Sequence, residues 1–136
     1  MGEPGLLVGL DGRLDDRFER TVHDLVRSAQ QRALEHLRPG MTGKEGDALA
    51  REVIAARGFG EAFGHSLGHG LGLEVHEAPR LAPTADSPLP MHAVVTVEPG
   101  VYLPGWGGVR LEDDVYLGPD GPRRLSDGRT ELVELV

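Results

Sequence analysis

The pattern of apolar and polar positions divides the chain into a helical part and an extended part. Phe18, Val22, Leu25, Val26, Ala29, Ala33 and Leu37 recur at spacings of three and four, which places them on one stripe of a single helix. Asp15 and Asp16 stand near its start, where acidic groups complement the helix dipole, and Pro39-Gly40 ends it. A second helix opens at Thr42, whose spacing to Glu45 is that of a capping box. Ala48, Leu49, Val53 and Ile54 are its expected buried face and Gly58 its C-terminal glycine. From about residue 64 the period changes. Residues 93–97, 108–112 and 114–117 read as strands, and Pro119-Asp120-Gly121 as a turn. Residues 6–8 suit a short edge strand and residues 131–136 a last one. The expectation is one α+β domain over residues 1–136, with two antiparallel helices on one face of a mostly antiparallel sheet.

Composition narrows the function classes. Lys plus Arg is 14 against 22 Asp plus Glu, a net charge of -8, so a basic face for nucleic acid is not expected. There is no cysteine, which excludes disulfides and thiolate-bound zinc. No apolar run approaches the ~20 residues of a membrane span, and residues 1–14 lack the pattern of a signal peptide. A cytoplasmic protein without a membrane partner is therefore expected. Gly 20 and Pro 10 imply many turns and close backbone approaches.

The candidate chemistry begins at residues 63–77, which hold His65, His69 and His76 among several glycines. His65 and His69 are four apart, as on a zinc-binding helix, but Ser66 stands where the general-base glutamate belongs. Glycines at 64, 68, 70 and 72 each cost a helix up to ~1 kcal/mol. An extended backbone is predicted, which puts His69 and His76 on opposite faces unless the chain bends between them. Glu98 ends an apolar strand before Pro99-Gly100, where a buried acid needs a partner or a cation. Arg110 and Glu112 alternate with Val109 and Leu111, so the polar pair shares one strand face. Taken singly, each feature has a plain reading: a hydrogen-bonded loop histidine, a solvated turn acid, a surface ion pair worth ~0–1 kcal/mol. Together, one imidazole and two carboxylates on separate strands make a reasonable site for Mn, Zn, Co or Fe.

Three stretches, residues 63–79, 96–102 and 107–113, resemble in order and spacing the proline dipeptidases and aminopeptidases P. Methionine aminopeptidases are similar more distantly. The resemblance extends back through both helices to about Leu6. It implies half of a pita-bread fold, its two helices packed on a mostly antiparallel curved sheet, and hydrolysis of Xaa-Pro bonds by metal-activated water. It implies His69, Glu98 and Glu112 as metal ligands, with Glu98 also an acid/base. His76 resembles the histidine that stabilises the tetrahedral intermediate. His65 and Arg110 resemble residues lining the substrate pocket, which Trp106 helps to shape. Met91-His92-Ala93 stands where the family typically has Pro-Gly-Met.

The family's paired ions also take two aspartates upstream of the first helix, and no aspartate precedes Asp11. Three ligands of five suit one divalent ion (Mn, Zn or Co) better than two, as in single-zinc sites with three protein ligands and a water. Three functions follow as expectations. One is a truncated peptidase-like domain acting on proline-containing peptides. Another is a non-catalytic peptide- or metal-binding module. The third is a half-domain that works as a homodimer or with a complementary N-terminal half.

Overall fold

The computed structural model describes residues 16–72 and 77–126. The expected strands at 6–8 and 131–136, Asp15 and His76 lie outside the described residues. The first helix, α1 (Asp16–His36), follows the predicted stripe: Phe18, Val22, Leu25, Val26, Ala29 and Ala33 are all buried, as is Leu37 just beyond it. The second, α2 (Gly43–Ala56), has the predicted capping box. Thr42 accepts from the Glu45 backbone N–H, and the Glu45 carboxylate accepts from the Thr42 N–H. Gly58 takes a positive φ of 87° and donates to the Ala55 carbonyl, closing α2 as expected.

The buried face of α2 is the expected one in part. Ile54 is buried as expected, and Gly43, Gly46, Asp47 and Ala50 join it, while Ala48, Leu49 and Val53 are only partly buried, the last two packed against the core. Two small residues let α2 approach its neighbours closely, and an aspartate turns inward because loop hydrogen bonds await it.

Among the described residues the extended part forms seven short strands: β1 (Gly68–Gly70), β2 (Glu77–Leu81), β3 (Val94–Val97), β4 (Gly100–Leu103), β5 (Gly107–Arg110), β6 (Asp113–Gly118) and β7 (Gly121–Arg124). Five make an antiparallel sheet in the order β2-β1-β3-β6-β7, and β4 pairs with β5 as a separate hairpin. The predicted strand at 108–112 stops at Arg110, so Glu112 lies in the link to β6. Its alternation holds nonetheless: Val109 and Leu111 pack against the core, while Arg110 and Glu112 are exposed. Strand β1 falls in the stretch expected to be extended, whereas β2, β4 and β7 are additions to the expectation.

One hydrophobic cluster joins the helices to the inner sheet face, including Ile54, Leu67, Val95, Val97, Val115 and Leu117. On β3 the buried Val95 and Val97 therefore point to the helices. Thr96 and Glu98 point to the opposite face, because side chains alternate along a strand. Asp113 has a structural part in its motif. Its buried carboxylate accepts from Arg124 and from Ser126, pinning the end of β7. Trp106 corrects another expectation: its ring meets Phe18 edge-on at 5.4 Å, packing the β4–β5 hairpin on α1 instead of shaping a pocket. Among the described residues no helix is long and apolar enough to cross a membrane.

Candidate functional site

The sheet face turned away from the helices holds the chemistry. Strand β1 lies so close to β3 that a Cβ on Gly68 would fall 1.8 Å from the Thr96 carbonyl oxygen. That approach brings His69 beside the outward side chains of β3. The His69 backbone N–H donates to Thr96 Oγ1 at 3.0 Å. His69 Nδ1 lies 3.0 Å from the Gly70 carbonyl oxygen. In the neutral ring, donation from Nδ1 to that carbonyl leaves Nε2 as the lone-pair nitrogen. Nε2 in turn stands 3.4 Å from Glu98 Oε2. Glu98 Oε2 is buried and accepts no hydrogen bond among the described residues. A carboxylate oxygen opposite an imidazole lone pair is a repulsive arrangement, which a proton or a cation between them relieves.

Arg110 links the second carboxylate to the first. Its guanidinium lies 4.0 Å from Glu98 Oε1 and 3.7 Å from Glu112 Oε1. The Glu112 carboxyl is held above its ordinary range, first by partial burial and then by the Glu98 charge, with Arg110 opposing. Among the described residues, no three His, Asp or Glu side chains already stand around one cation position. The structure brings His69 and Glu98 together directly and joins Glu112 to them through Arg110.

The raised Glu112 pKa gives a first prediction. In the metal-free chain the unfolded carboxyl ionises first as pH rises, so the folded state is penalised above the carboxylate range. Below that range both states are protonated and the penalty vanishes. Glu112→Gln should therefore stabilise the metal-free chain at pH 7 and have no effect at the lowest pH. The gain should stay below about 1 kcal/mol, since the side chain is 41% exposed and screened. Urea denaturation across pH 3–7 measures it.

A cleft of about 610 Å³ opens beside the pair, lined by His65, Ser66, His69, Arg80, Glu98 and Arg110 among others. That volume suits a small ligand. His65 and Arg110 thus both face the cleft, and His65 Nε2 contacts the Tyr102 hydroxyl at 2.9 Å. Two lining or supporting residues are not apparent from the sequence pattern. Arg80 is the cross-strand neighbour of His69, and its only polar contact among the described residues is Ser66 Oγ at 3.4 Å. The other is Asp47, reached only through the tertiary fold. Strands β1 and β2 pair antiparallel, with His69 opposite Arg80.

Comparison with known proteins accords with this geometry. Residues 7–119 match metallopeptidase family M24. The Xaa-Pro dipeptidase of Pyrococcus furiosus is 47% identical over 115 residues, which are 85% of this chain and 33% of that protein. A solved Xaa-Pro dipeptidase from Bacillus anthracis superposes with a TM-score of 0.85 at 45% identity, covering 91% of this chain and 35% of that one. An X-prolyl aminopeptidase from Caenorhabditis elegans, a cytosolic enzyme with a di-nuclear active site, superposes at a TM-score of 0.62 and 30% identity, covering 70% of this chain and 16% of its own. The chain spans about a third of the length of the dipeptidases it matches. With the motif order, the two-helix and antiparallel-sheet architecture and the family match in agreement, the chain belongs to metallopeptidase family M24 and carries half of the pita-bread fold of its Xaa-Pro dipeptidases.

Proposed function

We propose that this chain forms the metal-holding wall of an Xaa-Pro peptidase site. In this reading His69, Glu98 and Glu112 hold one divalent ion (Mn, Zn or Co), and the cleft takes a proline-containing peptide. The observation that carries it is the buried, unsatisfied Glu98 Oε2 placed 3.4 Å from His69 Nε2. An imidazole nitrogen and carboxylate oxygens are a donor set that Mn, Zn and Co accept. Arg110 lies between the two carboxylates and offsets part of their charge. A bound ion would polarise a peptide carbonyl and acidify a water. The chain's own groups bind and orient: His65 and Arg110 line the cleft, and the resemblance assigns His76 to the tetrahedral intermediate. Arg80 offers a guanidinium for the peptide's carboxylate, a group it can meet with paired, charge-assisted hydrogen bonds.

Calorimetric titration with Mn and with Zn tests the metal site. Wild-type chain should bind one ion, and Glu112→Ala should bind it at least tenfold more weakly. Failure of both metals to bind would sink the proposal. For the peptide, Arg80→Ala should weaken binding of an Xaa-Pro dipeptide roughly 10- to 100-fold, the range for a hydrogen bond to a charged group. The C-terminally amidated dipeptide should be indifferent to the change. Release of free proline marks a hydrolase, whereas binding without release assigns a peptide-binding role.

A further inference from the structure

Behind the cleft, an ion pair on α2 reaches the backbone of the loop that leads to His69. Arg51 donates from Nε to Asp47 Oδ2 at 2.6 Å and from Nη2 to Oδ1 at 3.1 Å. The same guanidinium donates to the Phe63 carbonyl at 2.8 Å and to the His65 carbonyl at 2.7 Å, and lies 4.0 Å over the Phe63 ring. Asp47 Oδ1 accepts from the Leu67 N–H at 3.0 Å. The Leu67 carbonyl then accepts from the Glu98 N–H at 2.7 Å. One helical pair therefore holds three backbone groups of residues 63–67, and the last of those residues holds Glu98.

The energetics point the same way. The Asp47 side chain is 2% exposed, and a buried ion pair gains little over apolar residues of similar size because both charges lose their hydration. Apolar side chains, however, cannot grip three backbone groups in fixed directions. A planar guanidinium with its carboxylate can.

We infer that Asp47 and Arg51 are positioning residues for the cation site, setting where His65, His69 and Glu98 stand relative to one another from behind the sheet. The inference rests on the reading that His69 and Glu98 share a metal, but its structural part is measurable without one. In the metal-free chain, the double variant Asp47→Leu with Arg51→Met should keep the fold. Amide hydrogen exchange should quicken at least 100-fold at Leu67 and Glu98. Val95 and Val115, paired within the β3–β6 ladder, should keep their protection. The imidazole nitrogen resonances of His65 and His69 should shift while that of His92 stays. Mn affinity should fall at least tenfold, with Arg51→Lys recovering part of the loss because it restores charge without the fork.

Protection of Leu67 and Glu98 at wild-type levels would overturn the inference, as would a uniform loss of protection across the sheet. If the double variant does not fold, Asp47→Ala, which removes the acceptor of the Leu67 N–H, decides by the same selective exchange. Absence of Mn binding in the wild type would refute the metal reading, leaving the exchange pattern to decide the positioning role.

Discussion

Glu98→Gln is expected to reduce divalent-metal affinity at least 100-fold while leaving the metal-free chain as stable as before, or more so. Two effects of opposite sign act on this one side chain. With a cation present, the carboxylate supplies the charge and the oxygen donor. An amide keeps the shape and loses the charge. Partners outside the ligand shell already contribute 10- to 100-fold to metal affinity, so a ligand should contribute more. Without a metal ion, the same carboxylate is compensated only in part, by Arg110 at 4.0 Å. Its side chain is 14% exposed, and Oε2 is buried without a hydrogen bond among the described residues. A neutral amide is buried more cheaply than a carboxylate, so the metal-free variant should be unchanged or up to about 1 kcal/mol more stable. Parallel calorimetric titration and urea denaturation check both halves. A variant that is clearly less stable without metal, and binds Mn as the wild type does, would give Glu98 a structural part and remove the main support for the proposed site. Such an opposition of stability and function is common where a site is built for a ligand.

Helix α1 and the cap of α2 were legible because they depend on neighbours a few residues apart. The stripe from Phe18 to Leu37 and the Thr42–Glu45 pair need nothing from the rest of the chain. The inner face of α2 was legible only at Ile54. Apolar count favours Leu49 and Val53, but Asp47 turns inward to meet the Leu67 N–H twenty residues away. Periodicity carries no information about such a partner. The extended run around His69 was legible, but the partners of its short strand were not. Strand β1 is only Gly68–Gly70, and its pairing with β2 and β3 is fixed by tertiary contact more than by propensity. In the candidate site, His69 and Glu98 stood out by residue type and motif. What the sequence withheld was the 3.4 Å between them and the Arg110 guanidinium between the two glutamates. Trp106 shows the converse error: nearness in sequence to a site motif suggested a pocket residue, whereas its ring serves the core against Phe18.

The second large effect is structural and should appear at Gly68. An alanine there would set its Cβ 1.8 Å from the Thr96 carbonyl oxygen and 2.7 Å from the carbonyl carbon. Both are backbone atoms of β3, so no rotamer change relieves the clash. Relief requires β1 to move away from β3, and the core opposes that movement. Val95 and Val97 on β3 and Leu67 beside β1 are fully buried on the helix side, in an interior that tolerates little displacement. Gly68→Ala should therefore cost about 3 kcal/mol or more, the upper range for overpacking at a site that cannot yield. The displacement should also act on the site directly. The next residue is His69, whose backbone N–H is held by Thr96 Oγ1, so moving β1 from β3 separates the imidazole from Glu98. Urea denaturation should show the loss of stability, and Mn titration under folding conditions should show weaker binding. The neighbouring Gly64 offers the matched control. A Cβ there meets nothing within 4 Å, so Gly64→Ala should stay within about 0.5 kcal/mol of wild type. Equal behaviour of the two variants would show that close approach of β1 and β3 is not what seats His69 beside Glu98.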